Sequence, residues 1–126
     1  MSAAHFRLGA IVAFVDKNDM CMDGPQDDVM RVNPVDAKFE AFGWNVVTVD
    51  GHDMAALVDA IDALPPASSA QPTVVVAQTV KGKGIGFMEH TTKWHSGQID
   101  EATLQDCYAE LDRRYGRAVD VEAVGS

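Results

Sequence analysis

The chain has 126 residues, 47% apolar and 23% charged, a composition that supports one packed domain and argues against disorder or a fibrous class. Ten Lys and Arg against nineteen Asp and Glu give a net charge of −9, which opposes phosphate-backbone binding and argues against a nucleic-acid role. No apolar stretch approaches the roughly 20 residues of a membrane span, and the start, Met1 to Phe6, lacks a basic segment with a long apolar run behind it, so a cytoplasmic protein is expected. Cys21 and Cys107 belong to no CxxC or Cys/His cluster and read as reduced structural thiols.

Ala10 to Val15 is a continuous apolar run, predicted to be a strand buried on both faces and closed by the polar loop Asp16-Lys17-Asn18-Asp19. Residues 23–33 read as irregular, and Asn33 before Pro34 reads as a helix cap, with Val35, Phe39 and Phe42 on one face and Gly43 as the stop. Val46 to Val49 predicts a second strand. Asp53 then caps a helix whose apolar stripe is Met54, Leu57, Val58 and Ile61. Pro65 to Pro72 is a surface loop, and Thr73 to Val76 is a third strand apolar enough for the middle of a sheet. The glycine-rich turn Lys81-Gly82-Lys83-Gly84 and a loop through Gly97 follow, and Asp100 opens a last helix with the stripe Leu104, Cys107, Tyr108, Leu111 and Tyr115. Strands alternating with helices define an α/β layer, a parallel sheet flanked by helices, whose functional loops leave the carboxyl ends of the strands. Three strands leave two open edges, so further strands are expected to complete the sheet.

Position favours the loop after the first strand as a site. Asp16, Asn18, Asp19 and Asp23 offer hard oxygen ligands for Mg²⁺ or Ca²⁺, although an EF-hand is excluded because its glycine and closing glutamate are missing. The Lys81–Gly84 turn offers backbone N–H groups and two ammonium groups to a phosphate, but it is not a Walker A loop. Of the four histidines, His5, His52, His90 and His95, the last stands in a polar loop where an imidazole can meet a diphosphate or move a proton near neutral pH. Taken singly, each feature is more often a solvated turn or a surface residue, and spacing alone defines no catalytic grouping.

Taken together, the segments MSAAHFRLGAIVAFVDKNDMCMDGP, FEAFGWNVVTVDGHD and PTVVVAQTVKGKGIGFMEHTTKWHSG resemble the second half of the thiamine-diphosphate-binding domain of transketolases, in order and spacing, from Met1 to about Leu111. The resemblance implies a partial thiamine-diphosphate-binding fold over residues 1–116, with 117–126 as a tail. It implies that Asn18 gives its side-chain oxygen to Mg²⁺ (or Ca²⁺), that Met20 gives a backbone carbonyl, and that the metal holds the diphosphate. Met22 is implied to lie near the cofactor's rings and His95 to approach the diphosphate. Here Ser96 separates His95 from Gly97, where the family has the glycine directly after the histidine.

The resemblance also marks what is missing. The family's Gly-Asp-Gly segment, whose Asp is a direct metal ligand, is nowhere in the sequence and is expected ahead of Met1; the pyrimidine-binding domain with its activating glutamate is missing too. The expectation is therefore a subunit of a split transketolase-like enzyme, active only in a hetero-oligomer with transketolase-like chains that supply those parts. It would pass a two-carbon ketol unit from a ketose donor to an aldose acceptor, sugar phosphates or related compounds, with no residue of this chain assigned a catalytic role. The alternatives are a non-catalytic remnant or interaction module of the same fold, and a fragment of a 1-deoxyxylulose-5-phosphate-synthase-like enzyme. Nucleic acid and membrane are not expected partners.

Overall fold

A computed structural model describes residues 1–116; the tail expected at 117–126 lies outside the described residues. In chain order the elements are helix α1 (Ser2–His5), strand β1 (Val12–Lys17), the short strands β2 (Met20–Cys21) and β3 (Gly24–Pro25), helices α2 (Gln26–Val29) and α3 (Val35–Ala41), strand β4 (Asn45–Asp50), helix α4 (Met54–Asp62), strand β5 (Thr73–Gln78) and helix α5 (Glu101–Tyr115). A 3₁₀ turn, Lys93–His95, precedes α5. The chain divides into two compact units, Met1–Thr79 and a second beginning at Val80.

The first unit is built on a parallel sheet in the order β1-β5-β4. The middle place falls to β5 because its valines tolerate cover on both faces: Val74 and Val75 are 0% exposed, each burial worth roughly 1.5–3 kcal/mol. The register is level. Val12 and Asn45 both stand opposite Thr73, and Lys17 and Asp50 both stand opposite Gln78, so the three strands end together and their following loops leave from one edge. The connection from β1 to β4 and the return from β4 to β5 run in opposite directions across the sheet, and right-handed crossovers therefore place α3 and α4 on opposite faces.

Both helices begin next to the residues that the sequence marks, by different means. The Asp53 carboxylate accepts the N–H groups of Ala55 and Ala56 at 2.9 and 3.0 Å, an N-cap of the expected kind. Asn33 is not a cap, contrary to expectation: α3 starts at Val35 after Pro34 with no side-chain cap, and the Asn33 amide points instead toward Asp19 and Asp27. Gly43, at φ +85°, ends α3 as expected.

Further expectations are corrected. The first strand runs from Val12 to Lys17 rather than from Ala10 to Val15, because Asp16 and Lys17 pair with Ala77 and Gln78 and so extend the ladder. It is not buried on both faces: Val12 is 39% and Phe14 55% exposed, since β1 is an edge strand and no helix of the first unit covers that side of it. Residues 23–33, read as irregular, contain β3 and α2. The stripe of α4 is also mostly exposed at Met54, Val58 and Ile61, and the helix buries Ala60 instead.

In the second unit α5 has the ends expected of it, although Tyr115 of its expected stripe is 63% exposed. The Asp100 side chain accepts the Thr103 N–H at 2.8 Å at the start, and Gly116 ends it in the left-handed conformation, φ +64°. Cys107 is its buried anchor.

Candidate functional site

The loop leaving β1 is organised by short-range pairing at the carboxyl end of the sheet. Asp16, the penultimate residue of β1, accepts a hydrogen bond from the Thr79 hydroxyl just past β5, and the Thr79 N–H donates to the Lys17 carbonyl at 3.1 Å. The Lys17 ammonium lies 2.9 Å from both carboxylate oxygens of Asp19, and the Asn33 amide lies 3.4 Å away. The Lys17 ammonium, with Asn33 adding to it, holds the Asp19 carboxyl below its ordinary value. Asp19 itself stands at φ +56°, the bend that turns the chain into the β2–β3 hairpin.

That hairpin presents Met20 to the outside. The Gln26 N–H donates to the Asp19 carbonyl at 2.9 Å, and Cys21 pairs with Gly24, so the alternation of an antiparallel ladder makes Met20 opposite Pro25 the pair whose main-chain groups point outward. The outward N–H of Met20 donates to Asn18 Oδ1 at 3.0 Å. Its carbonyl leaves on the same edge. Asn18 Oδ1 and the main chain of Met20 are thus brought together on one edge of the hairpin. Met22 stands at the hairpin tip, 68% exposed.

The broader acidic cluster expected from position is not gathered at one point. Asp16 is bonded to Thr79, Asp19 to Lys17, and Asp23 belongs to the hairpin turn. Among the described residues, no group of three or more His, Cys, Asp or Glu is placed to hold a metal ion. The donor set therefore fits part of a Mg²⁺ site: an amide oxygen and a carbonyl suit a hard cation, and an octahedron needs further oxygens from phosphate, water or another chain.

In the second unit, the Lys81–Gly84 turn depends on its glycines. Gly82, at φ +78°, would bring an added Cβ to 2.4 Å from the Met88 carbonyl oxygen, so the chain passes itself there at backbone distance. Two of the turn's N–H groups are already taken: that of Lys83 donates to the Val80 carbonyl at 3.1 Å and that of Gly84 to Glu89 Oε1, also at 3.1 Å. The turn thus offers an anion the two ammonium groups more than these amides, a narrowing of the expectation. His95 ends the 3₁₀ turn, exposed, with its N–H on the Thr92 carbonyl at 3.0 Å. Its neighbour Trp94 fixes that turn, packing edge-on against Phe87 at 5.9 Å with the Lys93 ammonium 4.6 Å above the ring.

The sequence did not reveal Asn33, Thr79 and Glu89 as supports of these loops. The signal in principle was a demand: a carboxylate on a strand end, or an N–H turned inward by a positive-φ glycine, needs a partner.

Level parallel strands whose following loops leave from one edge, with the Asn18–Met20 turn on the first of them, define an α/β fold of the kind that places its functional loops beyond the carboxyl ends of its strands. Residues 1–118 match the family described as transketolase, thiamine diphosphate binding domain. The transketolase family protein y4mO of Sinorhizobium fredii is 40% identical over 89% of this chain and 40% of its own length. The 6-deoxy-6-sulfo-D-fructose transketolase subunit SqwG of a Clostridium species is 33% identical over 90% of this chain and 41% of its own. Pichia stipitis transketolase, solved with sedoheptulose 7-phosphate, superposes with a TM-score of 0.75 at 28% identity, over 87% of this chain and 16% of that one. The chain belongs to the transketolase family, through its thiamine-diphosphate-binding domain. It spans about 40% of the length of these two curated relatives. Among the described residues no helix is long and apolar enough to cross a membrane.

Proposed function

We propose that this chain is one piece of a split transketolase-like enzyme, the piece that grips Mg²⁺ and the diphosphate of thiamine diphosphate while other chains complete the site. The observation that carries the reading is the pairing of Asn18 Oδ1 with the main chain of Met20 at the carboxyl end of β1, two hard oxygens on one edge. In the assembled enzyme Asn18 Oδ1 and the Met20 carbonyl hold the metal, His95 approaches the diphosphate from its Trp94-anchored turn, and Met22 lies against the cofactor's rings. Lys81 and Lys83 offset phosphate charge on a chain of net charge −9. Bound there, the cofactor supplies the nucleophilic carbon and electron sink for cleavage beside a ketose carbonyl; this chain binds and orients. The reaction is transfer of a two-carbon ketol unit to an aldose.

The need for partners is supported by apolar surface. Phe14 and Val12 on one side of β1, with Met54, Val58 and Ile61 of α4, are exposed. On the side of α3, Val15, Val32, Val35, Phe39, Phe42 and Trp44 line an open cavity of about 550 Å³. An all-parallel sheet is ordinarily covered on both faces. The partners are chains carrying the Gly-Asp-Gly segment and the pyrimidine domain, the half-domain of residues 1–116 being this chain's share. The setting is cytoplasmic, which the free thiols of Cys21 and Cys107 support.

The test is co-expression with such chains, followed by calorimetric titration of thiamine diphosphate with Mg²⁺ and an assay of ketol transfer. Cofactor binding and transfer are expected only in the assembly. Ketol transfer by the purified chain alone would sink the reading, and an assembly that functions unchanged with Asn18→Ala would point to a remnant that keeps the fold without the chemistry.

A further inference from the structure

The loop Lys81–His90 closes on itself. Its ends meet where the His90 N–H donates to the Lys81 carbonyl at 3.0 Å, and a turn in which the N–H groups of Met88 and Glu89 both donate to the Ile85 carbonyl, at 2.8 and 3.1 Å, sends the chain back. That return brings the Glu89 side chain to the glycine turn. Gly82 and Gly84 stand at φ +78° and +105°; the Lys83 N–H turns back onto the Val80 carbonyl and the Ile85 N–H onto the Gly82 carbonyl, which leaves the Gly84 N–H between them in need of a side-chain acceptor. Glu89 supplies it from within the chain: its Oε1 accepts the Gly84 N–H at 3.1 Å, and Arg114 Nη1 of α5 lies 3.5 Å from the same oxygen. From the turn Lys83 adds a second positive charge, while Glu110, the other α5 acid beside this loop, is paired with Arg113 at 2.7 Å.

We propose that Glu89 is a positioning residue for cofactor binding: its carboxylate takes the Gly84 N–H of the glycine turn, ties the turn to α5 through Arg114, and holds Lys81 and Lys83 in place to meet a diphosphate. That the anion met is the diphosphate rests on the function proposed above; the internal clamp does not. The hydrogen bond from Gly84, with Arg114 and Lys83 nearby, holds the Glu89 carboxyl below its ordinary value, in keeping with a carboxylate that stays charged at its post.

The test uses the full chain labelled with ¹⁵N-glycine, in whatever assembly it purifies. The Gly84 amide shift is expected to titrate in acid with a midpoint below the ordinary glutamate range, to lose that titration in Glu89→Gln, and to titrate higher in Arg114→Met. Hydrogen exchange at Gly84 is expected to quicken roughly tenfold or more in Glu89→Ala and much less in Glu89→Gln, which keeps an acceptor. In the assembled enzyme, Glu89→Ala is expected to raise the KM for thiamine diphosphate roughly tenfold while kcat at saturating cofactor holds, with partial rescue in Glu89→Gln. A Gly84 amide indifferent to pH overturns the clamp, and a normal cofactor KM in Glu89→Ala overturns the positioning role. Should Glu89→Ala fail to fold, the Gly84 titration and Glu89→Gln decide. A clamp that titrates as expected in an assembly that binds no thiamine diphosphate leaves the clamp standing and fells the proposed function alone.

Discussion

Asn18 Oδ1 accepts the main-chain N–H of Met20 at 3.0 Å, so one short turn joins the two residues proposed as metal ligands. Removing the Asn18 side chain takes away one proposed ligand and the hydrogen bond that braces the main chain at the other. If the proposed site is right, Asn18→Ala will weaken Mg²⁺-dependent retention of thiamine diphosphate in the proposed assembly by roughly 10- to 100-fold, the scale of disturbing a metal site's hydrogen-bonded shell. Asn18→Asp, which keeps the acceptor, should lose less. Calorimetric titration at fixed Mg²⁺ measures both.

The pair Lys17 and Asp19 gives the same loop a pH dependence. The Asp19 carboxyl titrates below its ordinary value, chiefly because of the Lys17 ammonium, so its contribution to stability is complete above the unfolded-state value and is lost as pH falls through the lowered folded value. The loop should hold at neutral pH and loosen only in acid. In Lys17→Ala the Asp19 carboxyl resonance, followed by NMR against pH, is expected to titrate closer to the ordinary aspartate value.

Asp53 is the plainest stability element in the first unit. With its carboxylate on the N–H groups of Ala55 and Ala56, Asp53→Ala should cost about 1 kcal/mol. Asp53→Asn, itself a good cap, should cost only a fraction of that. The midpoints of urea unfolding, at unchanged slope, give the comparison.

Phe14 separates fold from assembly. At 55% exposed it adds little to the packing of this chain, yet it sits on the uncovered side of an edge strand. Phe14→Lys is expected to leave the circular dichroism of the isolated chain unchanged and to weaken association with the proposed partner chains at least roughly tenfold, as loss of an aromatic anchor does. Sedimentation or surface-binding measurements with the partners provide the readout.

Much of the architecture was legible in the residues because its causes are local. Three valines in succession marked the central strand, and aspartates ahead of apolar stripes marked α4 and α5; propensity and capping act within a few residues. The candidate loop was legible for the same reason, since an Asn two residues before a main-chain N–H forms its turn without outside help. Asn33 was misread because Asn before Pro is a good local cap, whereas the folded chain draws its amide to carboxylates 14 and 6 residues away.

The sequence by itself thus determined the order of β1, α3, β4, α4, β5 and α5 and the family through motifs in register, and it nominated Asn18, Met20, Met22 and His95 as the residues to test. Only the tertiary structure decided which side chains are spent on one another. Thr79 meets Asp16 from 63 residues away, and Arg114 meets Glu89 from 25. It also decided which apolar faces stay uncovered. Both outcomes depend on the packing of elements distant in sequence, where pairing and burial are set by geometry that no local pattern carries.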